Sequence, residues 1–97
     1  MKNEIIKVAM VDDHVLLRNA LSSLINNSGK CKVIFEASNG KELIVQLENK
    51  NLPDVVILDV NMPEMDGHET ASYLQQYFPE IKVLMLTMYD SELALIR

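Results

Sequence analysis

Pro53-Asp54-Val55-Val56-Ile57-Leu58-Asp59-Val60-Asn61-Met62-Pro63-Glu64-Met65-Asp66-Gly67 is the stretch on which the fold turns. Pro53 resets the chain. Val55 to Leu58 are four consecutive apolar residues, three of them β-branched, which suits a strand covered on both faces. Asp59 ends that strand with a carboxylate. Gly67 to Phe78 follows a helical period, with Ala71, Leu74, Tyr77 and Phe78 aligned, and Pro79 stops it.

The same alternation extends in both directions. Ile5 to Val11 reads as a buried strand. Val15 to Ile25 is helical by period, with Leu17, Ala20, Leu21, Leu24 and Ile25 on one face, and Asn26 to Gly29 end it with turn formers. Cys31 to Phe35 is a short, less buried strand, with Lys30 and Lys32 on either side of its first residue. Asn39 can cap the next helix and Glu42 can reach back to its start; Leu43, Ile44 and Leu47 form its inner face. Ile81 to Leu86 is a fourth buried strand, and Asp90-Ser91 is expected to cap a last helix. Strands alternating with helices predict an α/β fold, a doubly wound parallel sheet with right-handed crossovers and helices on both faces.

Composition agrees with one globular domain over 1–97. The chain has 97 residues, 48% hydrophobic and 24% charged, with only three Gly and three Pro. These values argue against wholesale disorder and exclude collagen-like or low-complexity character. No apolar run exceeds four residues, whereas a membrane-spanning helix needs about 20. The single Cys31 allows no internal disulfide and predicts a reducing, cytoplasmic setting. A net charge of −5 with nine scattered Lys and Arg predicts that this chain holds no nucleic acid by itself.

In folds of this class, ligands lie beyond the carboxyl ends of the strands. The first strand ends in Asp12-Asp13, the third in Asp59 and the fourth in Thr87. If these strands are neighbours, three carboxylates and a hydroxyl converge. Clustered carboxylates repel, and a hard divalent cation such as Mg²⁺ answers that repulsion with oxygen ligands and retained waters. Asp13 taken alone reads equally well as a helix N-cap. Asp54 and Asp90 read as turn and cap residues.

Other motifs fail on their own terms. A calcium loop opening at Asp59 would need Gly sixth and Glu twelfth; Glu64 and Thr70 stand there. An aspartyl phosphatase motif Asp-x-Asp-x-Thr would lose its general acid at Asn61 and its Thr at Pro63. There is no Gly-rich phosphate loop, and the Asn26-Asn27-Ser28 sequon reads as chance. His14 is read as a solvent-facing or capping neighbour of the acid pair and His68 as a residue without a partner pattern. The six Met are mostly core filler, and Cys31 is structural.

Val11-Asp12-Asp13-His14, the segment from Val56 to Gly67, and Leu86-Thr87 together resemble the receiver domain of bacterial two-component response regulators over essentially the whole chain. Leu86-Thr87-Met88-Tyr89-Asp90 further resembles the subfamily with a helix-turn-helix DNA-binding output. The resemblance implies a flavodoxin-like sheet of order 2-1-3-4. It implies that Asp59 accepts a phosphoryl group from a phosphohistidine on a sensor histidine kinase. Asp13, Asp59 and the backbone carbonyl of Asn61 would hold Mg²⁺, with Asp12 helping through water, and Thr87 would hydrogen-bond the phosphoryl group. Pro63 would shape the loop, and Gly67 would open the third helix where a side chain has little room. Such a chain accepts phosphate with self-catalysed transfer; it is not a turnover enzyme.

The family pattern also has a Lys and a switch aromatic on a fifth strand, and no residue here answers to either. Lys82 lies at the wrong end of its strand. The resemblance therefore implies an incomplete domain, with strand five, helix five and the output domain outside this sequence. One structural consequence is expected. The fourth strand becomes an open apolar edge, favouring a homodimer through that strand and the stub of helix four. As the alternative to the phosphoacceptor reading, the chain is a receiver-like dimerisation or interaction module without effective phosphorylation. A metal-dependent phosphatase is the third, disfavoured reading.

Overall fold

The structure, a computed structural model, describes residues 4–60, 66–89 and 92–96. Asn61 to Met65, with Asp90 and Ser91, lie outside the described residues, so the expectations placed on Asn61, Pro63 and the Asp90-Ser91 cap find no answer there.

Five strands and three helices follow in chain order: β1 (Ile6–Val11), α1 (Val15–Asn27), β2 (Cys31–Ala37), α2 (Gly40–Glu48), β3 (Val55–Asp59), α3 (Gly67–Tyr77), β4 (Lys82–Tyr89) and β5 (Glu92–Ile96). The sheet order is β2-β1-β3-β4-β5. The first four strands are parallel, in the predicted order 2-1-3-4. From β1 the chain moves outward to β2, then back across β1 to β3 and β4. With right-handed crossovers, α1 therefore lies on one face and α2 with α3 on the other. Packing agrees: α1 rests on β1 and β2, and α2 touches α3.

Most of the core sits on the α2/α3 side. Val56 and Leu58 of β3 are fully buried there with Leu43, Leu47 and Leu74, while Val55 and Ile57, facing α1's side, are half-buried. The strand expected to be covered on both faces is thus fully covered on one. Helix α1 shows the same asymmetry. Leu17, Leu21 and Ile25 are half-buried, but Ala20 and Leu24 are exposed, and Ser22 is its one fully buried residue. Tyr77 of α3, expected inward, is exposed and stacks on Tyr73 at 4.8 Å between ring centroids.

Local signals explain where the helices start. Asn39 accepts from the Glu42 amide at 2.9 Å, and Glu42 reaches back to the Ser38 amide at 2.8 Å. Asp66 and Glu69 form a complete capping box ahead of α3. Asp54 accepts from the Lys7 amide through its side chain and donates to the Lys7 carbonyl through its own amide, tying the start of β3 to β1.

One element departs from expectation. Glu92 to Ile96, expected within a last helix, form the strand β5, antiparallel to β4 from Met85↔Ile96 to Tyr89↔Glu92. A segment this short would be a marginal helix in isolation. As a strand it satisfies the row of backbone groups that β4 would otherwise leave open. The fourth strand is therefore not an edge, and among the described residues Glu92 to Ile96 form a strand where a helix-four stub was expected. The homodimer expected through those two features loses its structural premise.

Candidate functional site

Register brings the acids together. Val11 of β1 pairs with Leu58 of β3, so Asp12 and Asp59, the next residues along, leave adjacent strands at the same level. Asp59 in turn pairs with Leu86 of β4, which places Thr87 one residue further along β4. The structure thus brings Asp12, Asp13 and Asp59 to one end of the sheet, with the backbone of Thr87 beside them. Asn61 is the one predicted site residue outside the described segments.

Ligand atoms of Asp12, Asp13, Asp59 and His14 all lie within 4.8 Å of one another. The three carboxylates differ in depth. The Asp12 side chain is 3% exposed, Asp59 14% and Asp13 33%. Asp12 forms the floor, and Asp59 keeps an opening to solvent. Val60 donates to the Leu86 carbonyl at 3.1 Å, and the Gly67 amide donates to the Val60 carbonyl at 3.1 Å. These bonds fix the backbone after Asp59 between β4 and α3. Gly67 is required at that contact: a Cβ there would stand 2.7 Å from both the Asp59 carbonyl oxygen and the Val60 Cα. The close approach predicted for Gly67 is present.

His14 stands where the sequence placed it, exposed at the start of α1 beside the acid pair, but its ring turns onto the acids in a way the sequence did not reveal. It is the N-cap of α1, so Asp13 is not, and its side chain makes no cap hydrogen bond. Its amide donates to Asp12 Oδ1 at 2.8 Å, and its Nδ1 lies 3.1 Å from the same oxygen. The ring nitrogen is also 3.3 Å from Asp13 Oδ1 and 3.8 Å from Asp59 Oδ2. The hydrogen bond to Asp12, then the charges of Asp13, Asp12 and Asp59, raise the imidazole's pKa above its usual value against a small desolvation effect. The adjacent acid pair was the available signal; which way the ring points depends on how β1 enters α1.

Fit to a divalent cation can be judged on the donors themselves. Asp13 Oδ1 is buried and makes no hydrogen bond, with the His14 ring nitrogen standing 3.3 Å away. A buried carboxylate oxygen left in that state is costly, and a hard cation would satisfy it. Carboxylate oxygens are the donors Mg²⁺ takes. The residues fit the ion.

Comparison with known proteins gives the same reading. The response regulator receiver domain family matches residues 8–97. The response regulator protein VraR of Staphylococcus aureus (strain NCTC 8325 / PS 47) is 38% identical over 84 residues, covering 87% of this chain and 40% of VraR. The chain thus spans well under half the length of that relative. The signal receiver domain of the putative response regulator NarL from Mycobacterium tuberculosis superposes with a TM-score of 0.72 at 34% identity, covering 88% of this chain and 66% of that one. RcsB from Salmonella enterica serovar Typhimurium, solved bound to promoter rprA in the presence of the phosphomimetic BeF3⁻, superposes with a TM-score of 0.79 at 26% identity, covering 88% and 71%. The acid cluster at the end of a 2-1-3-4 sheet and these matches lead to one conclusion: the chain belongs to the response regulator receiver domain family.

Proposed function

We propose that this chain is the phosphoacceptor of a two-component system, with Asp59 taking the phosphoryl group from a phosphohistidine of a sensor histidine kinase. The observation that carries this reading is the position of Asp59, level with Asp12 on the neighbouring strand and the more open of the two. An Asp59 carboxylate oxygen attacks phosphorus as the donor's P–N bond breaks, which leaves an acyl phosphate on Asp59. Asp12, Asp13 and Asp59, with the Asn61 carbonyl, are the groups that would hold Mg²⁺, which when bound neutralises charge on the phosphoryl oxygens. Phosphoryl transfer is governed by positioning and charge neutralisation. The chain's own part is to hold three acids at fixed depths.

In this reading Thr87, one residue beyond the level of Asp59 on β4, hydrogen-bonds the arriving phosphoryl group. The chain is modified once per event and turns over no external substrate. Transcriptional output, suggested by the promoter-bound RcsB relative, would belong to sequence beyond this chain. Among the described residues no helix is long and apolar enough to cross a membrane. The test is transfer from an autophosphorylated sensor kinase with Mg²⁺. Label should pass to the parent chain and not to Asp59→Asn; equal labelling of both would refute the assignment.

A further inference from the structure

Arg18 takes no part in the chemistry just described, yet its guanidinium is held by several hydrogen bonds beside the acids. Its Nη1 donates to the Asp12 carbonyl at 2.8 Å, to Ser38 Oγ at 3.0 Å and to the Ala37 carbonyl at 3.4 Å. Its Nε donates to Glu36 Oε1 at 2.7 Å, and the side chain is 13% exposed. One residue of α1 therefore grips the carboxyl ends of both β1 and β2.

We infer that Arg18 is a positioning residue for the cation site, setting the Asp12–Asp13 peptide through the Asp12 carbonyl; the part concerning the cation rests on the function proposed above. The physical route is short. The Asp12 amide is already held by the Ala37 carbonyl at 3.0 Å. With Arg18 on the Asp12 carbonyl, both faces of this residue's backbone are fixed, and the peptide that leads into Asp13 cannot rotate freely. Asp13 carries the buried oxygen that makes no hydrogen bond, so its aim depends on that peptide. The grip needs a planar fork that spans two directions: Nε reaches Glu36 while Nη1 reaches Asp12. A lysine ammonium is a single point and cannot serve both. Glu36 in turn orients the fork, since its bond is charge-assisted and short. Charge alone does not explain the arrangement, because the contact to Asp12 is to its carbonyl oxygen and not to its carboxylate.

The test compares the parent with Arg18→Lys, Arg18→Met, Glu36→Gln and the control Leu16→Ala, an exposed change on the same helix. Two readouts are taken: Mn²⁺ affinity by paramagnetic relaxation, and the NMR shifts of the Asp12 carbonyl carbon and Asp13 amide without any metal. Partners that orient metal ligands are worth about 10–100-fold in affinity. Arg18→Lys and Arg18→Met should weaken Mn²⁺ binding by about tenfold or more and move both shifts. Glu36→Gln should fall between, and Leu16→Ala should match the parent. Should Arg18→Met fail to fold, Arg18→Lys and Glu36→Gln carry the test. Parent-like shifts and parent-like Mn²⁺ affinity in Arg18→Lys and Glu36→Gln would overturn the inference. A parent chain that binds no Mn²⁺ would instead overturn the proposed cation site. The metal-free shifts would still decide whether Arg18 sets the peptide.

Discussion

Gly67 and Asp59 touch through the backbone: a Cβ on Gly67 would stand 2.7 Å from the Asp59 carbonyl oxygen. Helix α3 begins against the residue proposed to be phosphorylated, and the atoms it would strike are main chain, which cannot swing aside. Gly67→Ala should destabilise the chain by about 1–3 kcal/mol, the usual range for forcing an extra carbon into a filled site. Urea unfolding checks this. The accompanying shift of the Asp59 backbone should also weaken Mn²⁺ binding, which calorimetry on the folded variant would detect.

The acid cluster predicts opposite responses with and without metal. Asp13→Asn removes one charge from a crowded group, so the metal-free variant should melt above the parent. The parent should gain more from added Mg²⁺. A ligand at about tenfold its Kd stabilises by about 1.4 kcal/mol, and the variant should show little of this. Thermal melts with EDTA and with excess Mg²⁺ measure both halves.

Much of this site was legible in the sequence because parallel register is simple. Apolar strands that end in Asp12 and Asp59 bring those acids level once the strands are neighbours. The role of Gly67 followed from the motif. Three features escaped for physical reasons. His14 was placed beside the acids, but its ring direction depends on the turn between β1 and α1. Leu24 lies on the apolar stripe of α1, and periodicity marks a stripe without saying whether anything covers it. Leu93 to Ile96 are apolar without a period, so a helix and a strand read alike until β4 is there to pair with.

His14 should titrate above the ordinary histidine range, near 6.5, in metal-free protein. Its folded-state pKa is raised, so the stabilising contact is fully present below the unfolded value and is lost as pH rises through the folded one. The contribution to stability is small, because the ring is 68% exposed and screened by solvent. NMR titration of the imidazole in EDTA should show the raised value. Asp12→Asn should bring it back toward the usual one.

Ser22 offers a test away from the site. It is the fully buried residue of α1, and its hydroxyl has no hydrogen-bond partner. An unsatisfied buried hydroxyl costs about 1–3 kcal/mol. Ser22→Ala should therefore leave stability unchanged or raise it by about 1 kcal/mol, with cation affinity as in the parent. Denaturant midpoints of the two proteins decide the sign.

The central claim is that Asp59 accepts a phosphoryl group with the help of a divalent cation. Intact-mass and peptide mapping after incubation with acetyl phosphate tests it most directly. With Mg²⁺, the parent should gain the mass of one phosphoryl group, mapped to Asp59. EDTA should suppress the gain, and Asp59→Asn should show none. A parent chain that stays unmodified with Mg²⁺, or an Asp59→Asn chain modified to the same extent, would contradict the account.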